Sequence, residues 1–330
     1  MRSLIVLCVF IAACTPASYN PPPGIPSVTP LVVVPAHTAI VPSPTAVPVR
    51  LSPATQVPVE ATRPVVDTQA LQAQIDAVLA RYPADWHILV KEVGGEMLYA
   101  HQYTREIDVA SVIKIPIALL FFKSLEQETP ASLKDYLAGN GIDGRTYEQL
   151  LHAMLVNSEE DATFSLIKAI SDSRLDVKKT LTGWGAAHTD IILRKSTPED
   201  MAELIDGFYA HNLLTPAARE ILLAYMAEYT SADDTRIGVL RTALPCGGQI
   251  YDKRGTIITP YLAVADLAIL KFDSPAGERA YTIVFFAYPG NYKGVTYESL
   301  VQGMETLATG FWQAIRTANA LPEQTGCSAP

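Results

Sequence analysis

No stretch of this 330-residue chain offers the roughly 20 consecutive apolar residues a membrane-spanning helix needs. Basic residues are scarce: 25 Lys and Arg against 34 Asp and Glu give a net charge of −9, and nearly all the acids follow Ala61. The body therefore repels phosphate backbones, which excludes nucleic acid as a partner. The six histidines show no H-x-x-x-H or His/Cys spacing, so no metal site and no cofactor are expected. No internal repeat is present, which sets aside solenoids and propellers. Four cysteines are too few for a disulfide scaffold.

The chain opens MRSLIVLCVFIAAC, one arginine and then an apolar run ending in small residues and a cysteine. That is the pattern of an export signal over residues 1–14. Ile11-Ala12-Ala13-Cys14 resembles the bacterial lipobox, which makes Cys14 a candidate for lipidation and a membrane anchor. Residues 15–66 are dense in Pro, Thr, Val and Ala with almost no charge. Such a segment favours extended polyproline II at about 3.1 Å per residue, a linker able to hold a domain up to roughly 150 Å from a membrane. Cys246 and Cys327 then remain for an oxidising compartment, as a disulfide or as two free thiols.

Residues 67–320 read as one folded domain, with a short disordered tail at 321–330. Helical spacing of apolar residues predicts helices at Leu71–Leu79, Ser111–Phe122, Thr146–Leu155, Ala162–Ile170, Thr197–Tyr209 and Thr296–Ala318. Strands are predicted at His87–Val93, Met97–Ala100, Gln249–Asp252, Tyr261–Phe272 and Ala280–Tyr288. Strands at both ends with helices between imply an α+β fold: one antiparallel sheet built from the two ends of the chain, flanked by helices, with a helical lobe inserted.

Ser111-Val112-Ile113-Lys114 opens the most apolar of these helices, and a spacing of three puts hydroxyl and amine on one face. A lysine within the apolar stretch Ala110–Phe122 is costly to bury without a partner or a task. A serine with a base in reach is the arrangement of an activated nucleophile. Ser158-Glu159-Glu160 follows 44 residues after that lysine, in LLHAMLVNSEEDATFSLI, and Lys253-Arg254-Gly255-Thr256 lies on a predicted edge strand.

This ordered set resembles the S-x-x-K, S-D-N and K-T-G motifs of class A β-lactamases and penicillin-binding proteins. The flanking STPEDMAELI and RIGVLRTALPCGGQIYDKRGT are similar to the family's segments after its Ω loop and before its K-T-G strand. The resemblance implies that Ser111 is acylated, that Lys114 is the proton acceptor, and that Ser158 relays a proton to the leaving nitrogen. Lys253 would attract a substrate carboxylate and depress Lys114 by like-charge repulsion. The backbone N–H groups of Ser111 and Thr256 would form the oxyanion hole and Gly255 would let the strand approach substrate, while Arg241 is a candidate either for a substrate carboxylate or for a structural salt bridge. The implied substrates are a β-lactam or a peptidoglycan-derived molecule, acted on by a monomer exported to the outer face of the membrane.

Three departures bear on turnover. Glu160 stands where the family has Asn, and an anion there is expected to hold Lys114 and Lys253 protonated. Arg254 replaces a small hydroxyl residue, either clamping a carboxylate or filling the site. Between Leu175 and Thr197 there is no Glu to activate a deacylating water; Asp176, Asp190 and His188 read as surface or capping residues. Slow deacylation follows, and with it two alternatives: an acyl-trapping, non-catalytic wall-binding module, or a D,D-peptidase on stem peptides.

Overall fold

The computed structural model describes residues 65–126, 132–210, 213–228 and 235–322. The export signal, Cys14, most of the linker and Cys327 lie outside them. Cys246 is disulfide-bonded. Val66 is buried in the core, and the Asp67 carboxylate accepts the Ala70 N–H at 3.0 Å to start α1 (Thr68–Arg81). At the other end Leu321 still packs on the core.

The chain then forms the hairpin β1 (Asp85–Glu92) and β2 (Met97–His101), and much later β7 (Gln249–Ile257), β8 (Ala263–Ser274) and β9 (Gly277–Tyr288). These five make one antiparallel sheet in the order β2-β1-β9-β8-β7. The first and last strands pair in register, Asp85 opposite Tyr288 through Glu92 opposite Tyr281, so the sheet is closed from the two ends of the chain as expected. Strand alternation sends successive side chains to opposite faces. In β9, Ile283, Phe285 and Ala287 face one core and Val284 and Phe286 the other. Both faces are covered, which is why β8 and β9 are almost continuously apolar.

One face carries α1 and α9 (Tyr297–Ala318), the two terminal helices packed side by side. The other carries the helical lobe: α2 (Lys114–Leu125), α3 (Leu133–Gly139), α4 (Tyr147–Leu155), α5 (Glu160–Asp172), α6 (Val177–Gly183), α7 (Pro198–Tyr209) and α8 (Pro216–Ala227). Short two-stranded ladders tie the lobe together, β3 (Ile107–Asp108) with β6 (Lys195–Ser196) and β4 (Gly141–Ile142) with β5 (Arg145–Thr146). The sequence reading misses α3, α6 and α8. Their starts are set by side-chain caps at Ser132, Asp176 and Thr215 rather than by a long apolar stripe. The helix expected from Ser111 also begins differently, as a 3₁₀ turn over Ala110–Ile113 that passes into α2 at Lys114.

Candidate active site

The 3₁₀ turn is pinned at its start. The Asp108 carboxylate accepts the Ala110 N–H at 2.9 Å, and Ala110 sits at φ +49°, a left-handed conformation that non-glycine residues seldom adopt. This kink places Ser111 at the mouth of the helix with α2 buried behind it. The Lys114 side chain is fully buried, and its ammonium donates to three oxygens: Ser111 Oγ at 3.1 Å, the Ser158 carbonyl at 2.7 Å and Glu160 Oε1 at 2.6 Å.

Ser158 lies in the turn from α4 to α5, also left-handed at φ +56°, which turns its carbonyl to Lys114. Its hydroxyl accepts from Lys253 Nζ. Lys253 comes from edge strand β7, itself buried, and also donates to the Arg254 carbonyl at 3.3 Å. Gly255 is required by contact: a Cβ there would lie 2.8 Å from the Ser111 nitrogen and 2.9 Å from Ala110 Cβ. Its role is thus to let β7 lie against the nucleophile's turn, a closer constraint than the approach to substrate expected from sequence. The same contact sets the backbones of Ser111 and Gly255-Thr256 side by side.

Ser111, Ser158, Glu160, Lys253, Arg254 and Thr256 all line one cleft of about 430 Å³. A sequence profile of the beta-lactamase enzyme family matches residues 70–308. The chain belongs to that family. The fold agrees with solved relatives. A β-lactamase from Chitinophaga pinensis is 17% identical with a TM-score of 0.59, covering 74% of this chain and 99% of its own. One from Burkholderia vietnamiensis is 19% identical, TM-score 0.60, covering 76% and 97%. A mutant of PBP-A, solved as an acyl-enzyme complex with penicillin G, is 20% identical, TM-score 0.56, covering 74% and 97%. No curated protein matches by sequence.

Within this β-lactamase-family site the electrostatics differ from the expectation. Burial pulls the Lys114 ammonium below its ordinary pKa; Glu160 opposes this and Arg194 adds to it. Glu160 therefore does not dominate Lys114 as the sequence suggested, because full burial penalises the charged amine more than one half-exposed carboxylate supports it. Lys253 is pulled down to about 7, by burial first and then by the positive charges of Lys114 and Arg254. The like-charge effect expected of Lys253 on Lys114 is felt at Lys253. Burial works against the Glu160 carboxylate, yet Arg194 and Lys114 outweigh it and hold its pKa low.

Two arginines were not anticipated. Arg194, four residues before α7, pairs with Glu160 Oε2. Arg236 is fully buried beneath β7 and β8, donating to the Gly255 carbonyl at 2.9 Å, the Ala265 carbonyl at 2.6 Å and Thr256 Oγ1 at 2.6 Å. Both lie outside the three motifs and meet their partners only through the fold; Arg236 opens the flanking RIGVLRTALPCGGQIYDKRGT stretch, which was read for its resemblance and not for that side chain. Arg241 borders the cleft, and its guanidinium binds the Asp252 carboxylate and the Ile250 carbonyl, the structural salt bridge of the two roles open to it from sequence. Arg254 lines the cleft without closing it. Asp176 caps α6, Asp190 accepts the N–H groups of Ile192 and Leu193, and His188 contacts Asp200, so none reaches the cleft. Among the described residues no cluster of three or more His, Cys, Asp or Glu could hold a metal.

Proposed function

We propose that the chain is a serine hydrolase acylated at Ser111 by a β-lactam or a related amide or ester. The observation that carries this reading is the buried Lys114 amine 3.1 Å from the Oγ of Ser111, which lines the same cleft as Ser158 and Lys253. Neutral Lys114 takes the Ser111 proton as Oγ bonds to the carbonyl carbon. The Ser111 and Thr256 N–H groups receive the developing oxyanion. When the C–N bond breaks, the Ser158 hydroxyl gives its proton to the leaving nitrogen. Lys253, held against Ser158, replaces that proton and attracts the substrate carboxylate. Water then adds to the Ser111 ester and releases the acid.

That last step is slow in this reading, because Leu175–Thr197 supplies a cation, Arg194, to the cleft residue Glu160 and has no Glu. The same observation favours a second reading, an acyl-trapping wall-binding protein; a D,D-peptidase on stem peptides shares the acylation step. The chain acts as a monomer, exported and anchored through Cys14, with the Pro-rich linker reaching toward the cell wall. Among the described residues no helix is long and apolar enough to cross a membrane.

Time-resolved labelling with a fluorescent penicillin separates these readings. Label that forms and is lost means hydrolysis, lasting label means trapping, and none points to another acyl donor or none. Ser111→Ala should abolish labelling; a variant that still reacts would remove Ser111 as the nucleophile.

A further inference from the structure

We propose that Arg194 is a positioning residue that grips one oxygen of Glu160 so that the other faces Lys114, and in this way tunes how readily Lys114 takes the Ser111 proton. The inference deepens the acylation mechanism and rests on that reading for its catalytic meaning, though not for its geometry.

Four side chains form a line: Arg194 to Glu160 Oε2, Glu160 Oε1 to Lys114 Nζ at 2.6 Å, and Lys114 Nζ to Ser111 Oγ at 3.1 Å. Arg194 is not a loose surface arginine. Its backbone is left-handed at φ +58°, its carbonyl accepts the Val109 N–H at 2.9 Å, and β6 beginning at the next residue pairs with β3 just before the nucleophile's turn. The loop before it is braced by the Asp190 carboxylate, which accepts two N–H groups. The segment read as lacking a catalytic Glu therefore delivers a guanidinium to the same cluster.

The chemistry follows from charge. A lone carboxylate 2.6 Å from a lysine stabilises the ammonium and makes it a poor base. A guanidinium on the carboxylate's far oxygen draws off that field and adds its own repulsion, favouring neutral Lys114. The other charges around the cluster are Lys253 from β7, with Arg254, Asp252 and Asp266 about it, and Tyr261, whose hydroxyl bonds Asp108 and which feels Arg194. None of these binds Glu160 in the described contacts, so Arg194 is the group that offsets it.

The test is an NMR titration of Lys114 in protein with isotope-labelled lysines, which needs no substrate. Asn tolerates left-handed backbone, so Arg194→Asn removes the guanidinium while keeping the loop. In that variant the Lys114 midpoint should rise by about one pH unit. Arg194→Lys should stay near wild type, and Glu160→Gln should lower the midpoint. In the Glu160→Gln background, adding Arg194→Asn should raise the midpoint by less than it does in wild type, since the carboxylate route is then gone and only the direct repulsion of Arg194 remains. An unchanged midpoint in folded Arg194→Asn overturns the proposal; should that variant not fold, a double variant or Glu160→Gln that leaves Lys114 unmoved does so. If penicillin labels the wild type, the acidic limb of its acylation rate should move up in Arg194→Asn in parallel. A chain that penicillin never labels refutes penicillin as its acyl donor and leaves the titration to decide on Arg194 by itself.

Discussion

Gly255 stands where any side chain collides with the nucleophile's own turn. The contacts a Cβ would make there are to backbone nitrogens at 2.8 and 3.2 Å and to Ala110 Cβ, none of which is a flexible side-chain end. Gly255→Ala must therefore push β7 and the Ser111 turn apart by some tenths of an ångström. Displacement of a reacting group by about 1 Å can cost about 10²-fold in rate, and acylation should fall by roughly that order or somewhat less, with about 1–3 kcal/mol of stability lost to the overpacking. Penicillin labelling rates with thermal melting check this; undiminished labelling would mean the two backbones are not the oxyanion site. At this scale the motif residues were legible because local spacing encodes them: Ser111 with Lys114, and Lys253 to Thr256. Arg194 and Arg236 were not, because an arginine's partner is a matter of tertiary placement. The burial that opposes Glu160 at Lys114 was not legible for the same reason, since burial cannot be counted from spacing.

Elements with a strong apolar signal, periodic in α7 and α9 and nearly continuous in α2, β8 and β9, were readable, and β7 ran five residues beyond its expected end, carrying the whole Lys253–Thr256 motif inside a strand. The short helices depended on caps. Thr197 shows what a cap holds here: its hydroxyl accepts the Asp200 N–H at 2.9 Å and donates to Asp200 Oδ1 at 3.1 Å, while Asp200 in turn binds the His188 N–H and the Thr189 hydroxyl. The start of α7 and the loop that carries Arg194 thus share one buried carboxylate. Thr197→Ala should cost about 1–2 kcal/mol, at the upper end for a cap because the site is fully buried. Thr197→Ser, which keeps the hydroxyl, should recover most of it. Urea unfolding measures both, and equal losses in the two variants would show that the methyl group's packing, not the cap, carries the stability.

Across the whole molecule the sheet separates two cores, and the buried polar network lies where the segment Arg236–Thr242 meets β7 and β8. Asp266 is at its centre, fully buried, with Oδ2 accepting the Ile237 N–H at 3.0 Å. Burial, and then the nearby Asp252 charge, push its carboxyl up to about 8, against the opposing pull of Arg236. In the unfolded chain the same carboxyl titrates near ~3.9. Between those values the folded state holds a proton that the unfolded state has lost, so this group's contribution to stability declines as pH rises through the window and is gone above about 8. Lys253, depressed to about 7, has the opposite slope at higher pH, because there the unfolded chain binds the extra proton. Its effect largely cancels between variants that both keep it. Asp266→Asn imitates the protonated form and can still accept from Ile237. Its stability relative to wild type should therefore grow steadily from about pH 4 to about pH 8 and then level off. Urea midpoints taken at intervals across that range test the point, and two curves that run parallel would place the titration elsewhere in the network.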